Sequence, residues 1–184
     1  MDANQEKFLR DEIFGLTLMA TVQRAGVYRS DASEADRRAF RTALRLRLEG
    51  IARHYEEEME EEMHIRNIVE LSNSLTSDHK KVLNDGRFRI GAAQKAVNLY
   101  LKYLWCLGKI PPPPHCPFDF QIIAKLPNYQ GPKWTKLDRE EHYRDLVAAA
   151  KLRAQGVPLA VWELLTYNNA RSRAAADAPQ AARR

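Results

Sequence analysis

Two residues in this chain have types and surroundings suited to covalent chemistry. Lys95 lies in Arg89-Ile90-Gly91-Ala92-Ala93-Gln94-Lys95-Ala96-Val97-Asn98-Leu99, just after a glycine at the start of an amphipathic helical pattern. Asp119 lies in His115-Cys116-Pro117-Phe118-Asp119-Phe120-Gln121-Ile122-Ile123, after a proline-rich stretch. An amine and a carboxylate carried by two short helices can make a nucleophile and its helper. The amine attacks an electrophilic carbon, and the carboxylate assists its activation and balances developing positive charge. Each residue also has a plainer reading: Lys95 as an exposed helix lysine, Asp119 as the N-cap of the helix that follows it. The chemistry requires that the two share a cleft.

The elements that must position them read as helices throughout. Residues 5–24 place Phe8, Leu9, Ile13, Leu16, Met19, Ala20 and Val22 at helical spacing, ended by Gly26. Ser33 is an N-cap with Asp36 three residues on, and Phe40, Leu44, Leu48, Ile51 and Tyr55 form the stripe of the next helix. Ile65, Ile68, Val69 and residues 71–75 continue or restart it. Asn84-Asp85-Gly86 is a turn signal, and the helix bearing Lys95 runs from there to about Leu107, where Gly108 stops it. Four consecutive prolines, 111–114, must be extended. Helices are predicted over 118–126, 138–154 and 157–169, with the loop holding Trp134 between the first two. No β-alternation persists, so the fold class is all-α: a compact multi-helix domain over residues 1–170, or two small lobes around a cleft, with a disordered Ala- and Arg-rich tail at 171–184.

Composition sets the bounds. A chain of 184 residues with 45% hydrophobic content can fill one core. A net charge of +5 and a sequence pI near 9.3 favour an anionic partner, nucleic acid before membrane. Cys106 and Cys116 have no metal-ligand spacing, and four-thiolate iron–sulfur ligation within the chain is excluded. No apolar run is long enough for a membrane span and no signal peptide is visible, so a cytoplasmic monomer with reduced thiols and no metal is expected.

Other residues have competing readings. The acidic run at 56–62 contains Glu61-x-x-His64, the spacing of carboxylate-bridged di-iron bundles, but no second copy exists, and a solvated helix face is the simpler reading. His115, four residues before Asp119, either lines a functional cleft or caps the proline loop. Tyr129 and Trp134, between Lys125 and Lys136, suit base stacking or simple packing. Arg87, Arg89 and Gly91 precede a helix N-terminus, where backbone amides and the positive helix end attract phosphate.

Taken together, these residues resemble the helix-hairpin-helix DNA glycosylases, the superfamily of endonuclease III-like and 8-oxoguanine glycosylases. Its hairpin reads Leu-Pro-Gly-x-Gly-x-Lys-x-Ala. Here Arg89-Ile90-Gly91-Ala92-Ala93-Gln94-Lys95-Ala96 takes those places, with Gly91 as the first glycine and Lys95 as the catalytic lysine. Asn98 and Leu101 also suit the helix that follows. Pro117-Phe118-Asp119-Phe120-Gln121-Ile122 is similar to the family's Asp-x-x-Ile pattern, 24 residues after Lys95. The departures are Arg89-Ile90 for Leu-Pro, Ala93 for the second glycine, and the missing cluster cysteines. The resemblance covers residues 86–126, under a quarter of the chain.

That resemblance implies a DNA glycosylase with no cofactor, able to act also as an abasic-site lyase. Lys95 and Asp119 would be catalytic. Arg87, Arg89, Gly91, Gln94 and Lys109 would contact DNA. His115, Trp134 and Tyr143, with Gln94, would face a base flipped out of the duplex. The base would be damaged, as in repair, or modified, as in defence against phage DNA. The alternatives are a helical module that binds DNA without cutting it, or an interaction subunit using the acidic 56–62 face.

Overall fold

The computed structural model describes residues 2–176, with side chains as far as Asn169. Seven α-helices account for most of it: α1 (Ala3–Leu18), α2 (Glu34–Ala52), α3 (Glu61–His79), α4 (Ile90–Cys106), α5 (Phe120–Ile123), α6 (Glu140–Ala154) and α7 (Leu159–Ala176). Among the described residues there is no β-sheet, only an isolated antiparallel bridge between Tyr28 and Leu83.

Local chemistry sets the boundaries. Asp2 caps α1 in a capping box with Gln5, and α1 then widens into a π-helical turn at Met19–Gln23. Ser33 caps α2 by accepting from the Asp36 N–H at 3.1 Å. The acidic run is not one helix face, because α2 ends at Ala52 and α3 restarts at Glu61, leaving residues 56–60 between them. The helix expected over 118–126 is only the four-residue α5, and α7 runs past Arg171 to Ala176, into the segment expected to be disordered. Residues 177–184 of that tail lie outside the described residues.

One continuous cluster of buried apolar side chains extends from Ile13 to Leu159. α4 is its axis: every residue from Ile90 to Asn98 is buried, and α1, α2, α3 and α6 all pack on it. The chain then leaves α4 at Gly108, passes the prolines and re-enters the core in extended form, with Cys116 and Phe118 fully buried. An extended segment in a core has no helix ladder for its backbone groups, so side chains must supply the partners. Gln94 does so for Phe118, as described next.

Candidate active site

Lys95 sits on the second turn of α4 with only 3% of its surface exposed. Its Nζ donates to Asp119 Oδ2 at 3.2 Å and lies 4.6 Å from the centroid of the Trp134 ring. Burial pushes the Lys95 amine below the ordinary lysine range, and the Asp119 carboxylate opposes that shift. The positive charge of Arg24, at the end of the π-helical turn, adds to the depression. Asp119 holds two positions at once. Its Oδ1 accepts from the N–H groups of Gln121 (2.9 Å) and Ile122 (3.2 Å), capping α5, while Oδ2 faces Lys95. The two residues expected to act together are therefore in direct contact.

Gln94 fixes that contact. Its Nε2 donates to Phe118 O at 2.8 Å and to Gly91 O at 3.0 Å, and its Oε1 accepts from Phe118 N–H at 3.2 Å. The amide clamps the main chain one residue before Asp119, just as its neighbour Lys95 reaches Asp119 itself. Gln94 has no exposed surface, so it does not contact DNA or a base in this structure.

The clamp is one end of a buried polar chain. Asn98 donates to Gln94 Oε1 (3.2 Å) and to the Tyr143 hydroxyl (3.3 Å). Tyr143 reaches His115 Nδ1 at 2.8 Å. On the other side Asn98 Oδ1 lies 2.8 Å from His64 Nε2, Tyr55 OH lies 2.7 Å from His64 Nδ1, and Asn67 donates to that hydroxyl at 3.3 Å. An amide oxygen only accepts, so His64 carries its proton on Nε2 and accepts from Tyr55 on Nδ1. Tyr143 accepts from Asn98, and the one arrangement that also gives its own proton a partner has it donate to His115 Nδ1, with the His115 proton on Nε2. That nitrogen is 3.5 Å from Glu61 Oε1 with no well-formed hydrogen bond. The two imidazoles meet edge-on, centroids 4.7 Å apart, and burial pushes both below the ordinary histidine range. Glu61, next to His115 and Lys151, is pulled down to about 2.

Several expectations change accordingly. His115 and Tyr143 have no exposed surface and belong to this network, not to an open base pocket. Trp134 does reach Lys95, but as a buried lid. Tyr129 packs back on its own loop, donating to Pro132 O. Gly91 is needed for close approach, but of the protein's own chain: an added Cβ would lie 1.6 Å from Trp134 O. The phosphate cradle at the α4 N-terminus is already filled. Gly91 N–H donates to Leu137 O (2.8 Å) and Ile90 N–H to Asp138 Oδ1 (3.2 Å), so Asp138 supplies the anion favoured at a helix start. Asp138 also holds Arg87 at 3.0 Å, and Arg87 further donates to Asn73 and Thr76. Arg89 pairs with Asp85. Lys109 pairs with Glu6 past the far end of α4, roughly 25 Å along the helix from Gly91. None of these three cations is a free phosphate ligand beside Lys95.

Arg24 and Glu163, which sequence reasoning did not tie to the pair, act on Lys95 through their charges, Lys125 lies beside Asp119, and Lys133 and Lys136 flank Trp134. Arg24, Lys125, Lys133 and Lys136 are exposed and, among the described residues, outside any ion pair. Lys102, seven residues beyond Lys95 and hence on the same face of α4, donates at 2.6 Å to Glu163, a carboxylate on α7 with 4% exposure. Burial raises the Glu163 pKa, and Lys102 opposes the rise. The available signal was the i, i+7 lysine pair together with a lone acid in the apolar run Val161-Trp162-Glu163-Leu164-Leu165.

Cys106 and Cys116 are both free thiols. Among the described residues no three His, Cys, Asp or Glu side chains are arranged to hold a metal, and no helix is long and apolar enough to cross a membrane. No protein-family model, curated protein or solved structure matches the chain.

Proposed function

We propose that this chain is a DNA glycosylase with an accompanying abasic-site lyase step, using Lys95 as nucleophile and Asp119 as its partner. The observation that carries the reading is the pair itself: a desolvated amine 3.2 Å from a carboxylate that is anchored by its own helix cap and by the Gln94 clamp behind it. Desolvation makes the neutral, nucleophilic amine more accessible near neutral pH.

In this reading the target nucleotide is extruded from the duplex. Arg24, Lys125, Lys133 and Lys136 bind phosphates around the site. The Lys95 amine attacks the anomeric carbon, and the carbon–nitrogen bond to the base breaks, the base leaving with the electron pair and then a proton. Asp119 stabilises the cationic character of the sugar in the transition state. Opening of the sugar ring leaves an imine between Lys95 and the sugar. β-Elimination then expels the 3′ phosphate, and water releases the lysine. Because Lys95 is covered, DNA must either displace the Trp134 lid or draw the amine out past Asp119, whose side chain is 26% exposed.

The test is borohydride trapping on labelled duplexes carrying an abasic site, 8-oxoguanine, uracil or a modified cytosine. A covalent band lost in Lys95→Gln is expected. Duplex binding with neither trapping nor base release would replace the enzyme by a DNA-binding helical module. The acidic face offers less to a partner than its composition suggests, since Glu61 pairs with Lys151 and Glu62 with Arg144.

A further inference from the structure

The residues expected to form a base pocket are sealed in the core, yet an open cleft borders Asp119 from another side. It lies between α5 and α7, has a volume of about 270 Å³, and is lined by Asp119, Gln121, Ile122, Glu163, Thr166 and Tyr167 among others. A cavity of roughly 150 Å³ holds a benzene ring, so this one has room for a nucleobase. Most of its exposed wall is apolar, as a flat heterocycle requires, and Gln121, Lys125 and Thr166 add polar groups beside the two carboxylates.

The buried polar group on the α7 wall is Glu163. Lys102 occupies Oε2 at 2.6 Å and stabilises the ionised form, which leaves Oε1 as the atom a ligand can use. An ionised carboxylate accepts hydrogen bonds and donates none. The second carboxylate of the cleft, Asp119, is likewise an acceptor. A base placed between them must present N–H groups. An exocyclic amine satisfies Glu163, whereas a carbonyl at the same position sets lone pairs against a carboxylate, and a site built to receive a donor rejects the analogue that lacks it.

We infer that this cleft is the base pocket and that Glu163 selects bases carrying an exocyclic amine over their carbonyl counterparts. The inference rests on the glycosylase reading above, and the experiment separates the two. Single-turnover base release is measured with the full-length protein on two matched pairs of duplexes, 8-oxoguanine against 8-oxohypoxanthine and 5-hydroxymethylcytosine against 5-hydroxymethyluracil. The first pair deletes an amine, and the second exchanges an amine for a carbonyl with a proton added at N3. Trapping on an abasic duplex, which has no base to read, runs alongside.

In at least one pair the amine-bearing member is released about tenfold faster or more. Glu163→Gln, which supplies a donor as well as an acceptor, brings that ratio to about threefold or less, and because the Glu163 charge also acts on Lys95, abasic trapping is measured for this variant as a separate rate. Equal release within both pairs, no release from any of the four duplexes, or a ratio untouched by Glu163→Gln overturns the inference while trapping keeps the lyase. Loss of trapping in the unaltered protein overturns both. Should Glu163→Gln fail to fold, Ala124→Trp at the exposed rim fills the cleft without touching Lys102. It suppresses base release about tenfold with abasic trapping intact, and unchanged release would overturn the inference.

Discussion

Replacing Gly91 with alanine separates two roles that a glycine beside a lysine can have. If Gly91 existed to let a DNA backbone approach, alanine would leave the free protein intact. It would even stabilise the helix by about 0.5–1 kcal/mol, because glycine is a poor helix former. The structure gives the opposite sign. The new Cβ would stand 1.6 Å from Trp134 O, 2.8 Å from Trp134 C and 3.2 Å from Leu137 Cβ, and the first two are backbone atoms that cannot rotate away. Restoring an ordinary contact of roughly 3.5 Å moves the 134–137 segment by about 2 Å. That breaks the Gly91 N–H bond to Leu137 O, worth about 1 kcal/mol. It also lifts Trp134 partly out of its seat over Lys95, about 1–2 kcal/mol more. Set against the propensity gain, a net loss of about 1–2.5 kcal/mol lowers the melting temperature by about 2–10 °C in a protein of this size. Thermal unfolding followed by circular dichroism measures it. A second readout is the Lys95 amine, whose pKa returns toward the ordinary value as water reaches it. A variant that melts at the same temperature or higher would refute the account of Gly91 as the seat of the lid.

Two further predictions concern the buried titratable groups. Burial lowers both His64 and His115, so the unfolded chain binds their protons more readily than the folded one. Their contribution is complete above the ordinary histidine pKa of about 6.5 and drains away as the pH falls below it, at no more than about 1.4 kcal/mol per pH unit for each ring. Glu61, held at about 2, adds its own loss only below the ordinary carboxylate range. Urea unfolding between pH 8 and pH 5 tests this, and flat stability over that interval would count against neutral, buried imidazoles. For Asp119, alanine removes both the α5 cap and the counter-charge of Lys95, whereas asparagine keeps the cap. Asp119→Ala is expected to be less stable than Asp119→Asn by about 1 kcal/mol, with the Lys95 amine depressed further in both. Equal melting of the two variants would show that the cap contributes nothing.

The sequence made some of this legible and hid the rest for identifiable reasons. The helices were readable because Phe40, Leu44 and Leu48, or the buried positions of α3, recur at helical spacing whatever they pack against. Lys95 and Asp119 stood out because both follow local signals, a glycine before a helix and an acid before one, and the fold brings those two signals together. Gly91 reads as a point of close approach for a DNA backbone, but local sequence does not say which chain approaches, and the protein's own 134–137 segment occupies the place. His115, Tyr143 and Gln94 read from sequence as ligand contacts because a polar residue in an apolar pattern looks the same whether its partner is a base or the protein's own Asn98 and Phe118 backbone. Arg87, Arg89 and Lys109 read as DNA-binding cations because their partners Asp138, Asp85 and Glu6 are not apparent from charge counting. Glu163 went unnoticed because Lys102, which makes its burial tolerable, is 61 positions away.

The polar chain from Asn67 to His115 has a consequence of its own. Apolar side chains hold helices together but tolerate sliding, since one methyl group is much like the next. Displacing α4 by one turn against α3 would shift Asn98 about 5.4 Å from His64, leaving the Asn98 amide and the His64 Nε2–H without partners in a dry interior. The chain therefore works as an alignment pin. It admits one axial setting of α4, and through Gln94 it transmits that setting to the extended strand that delivers Asp119.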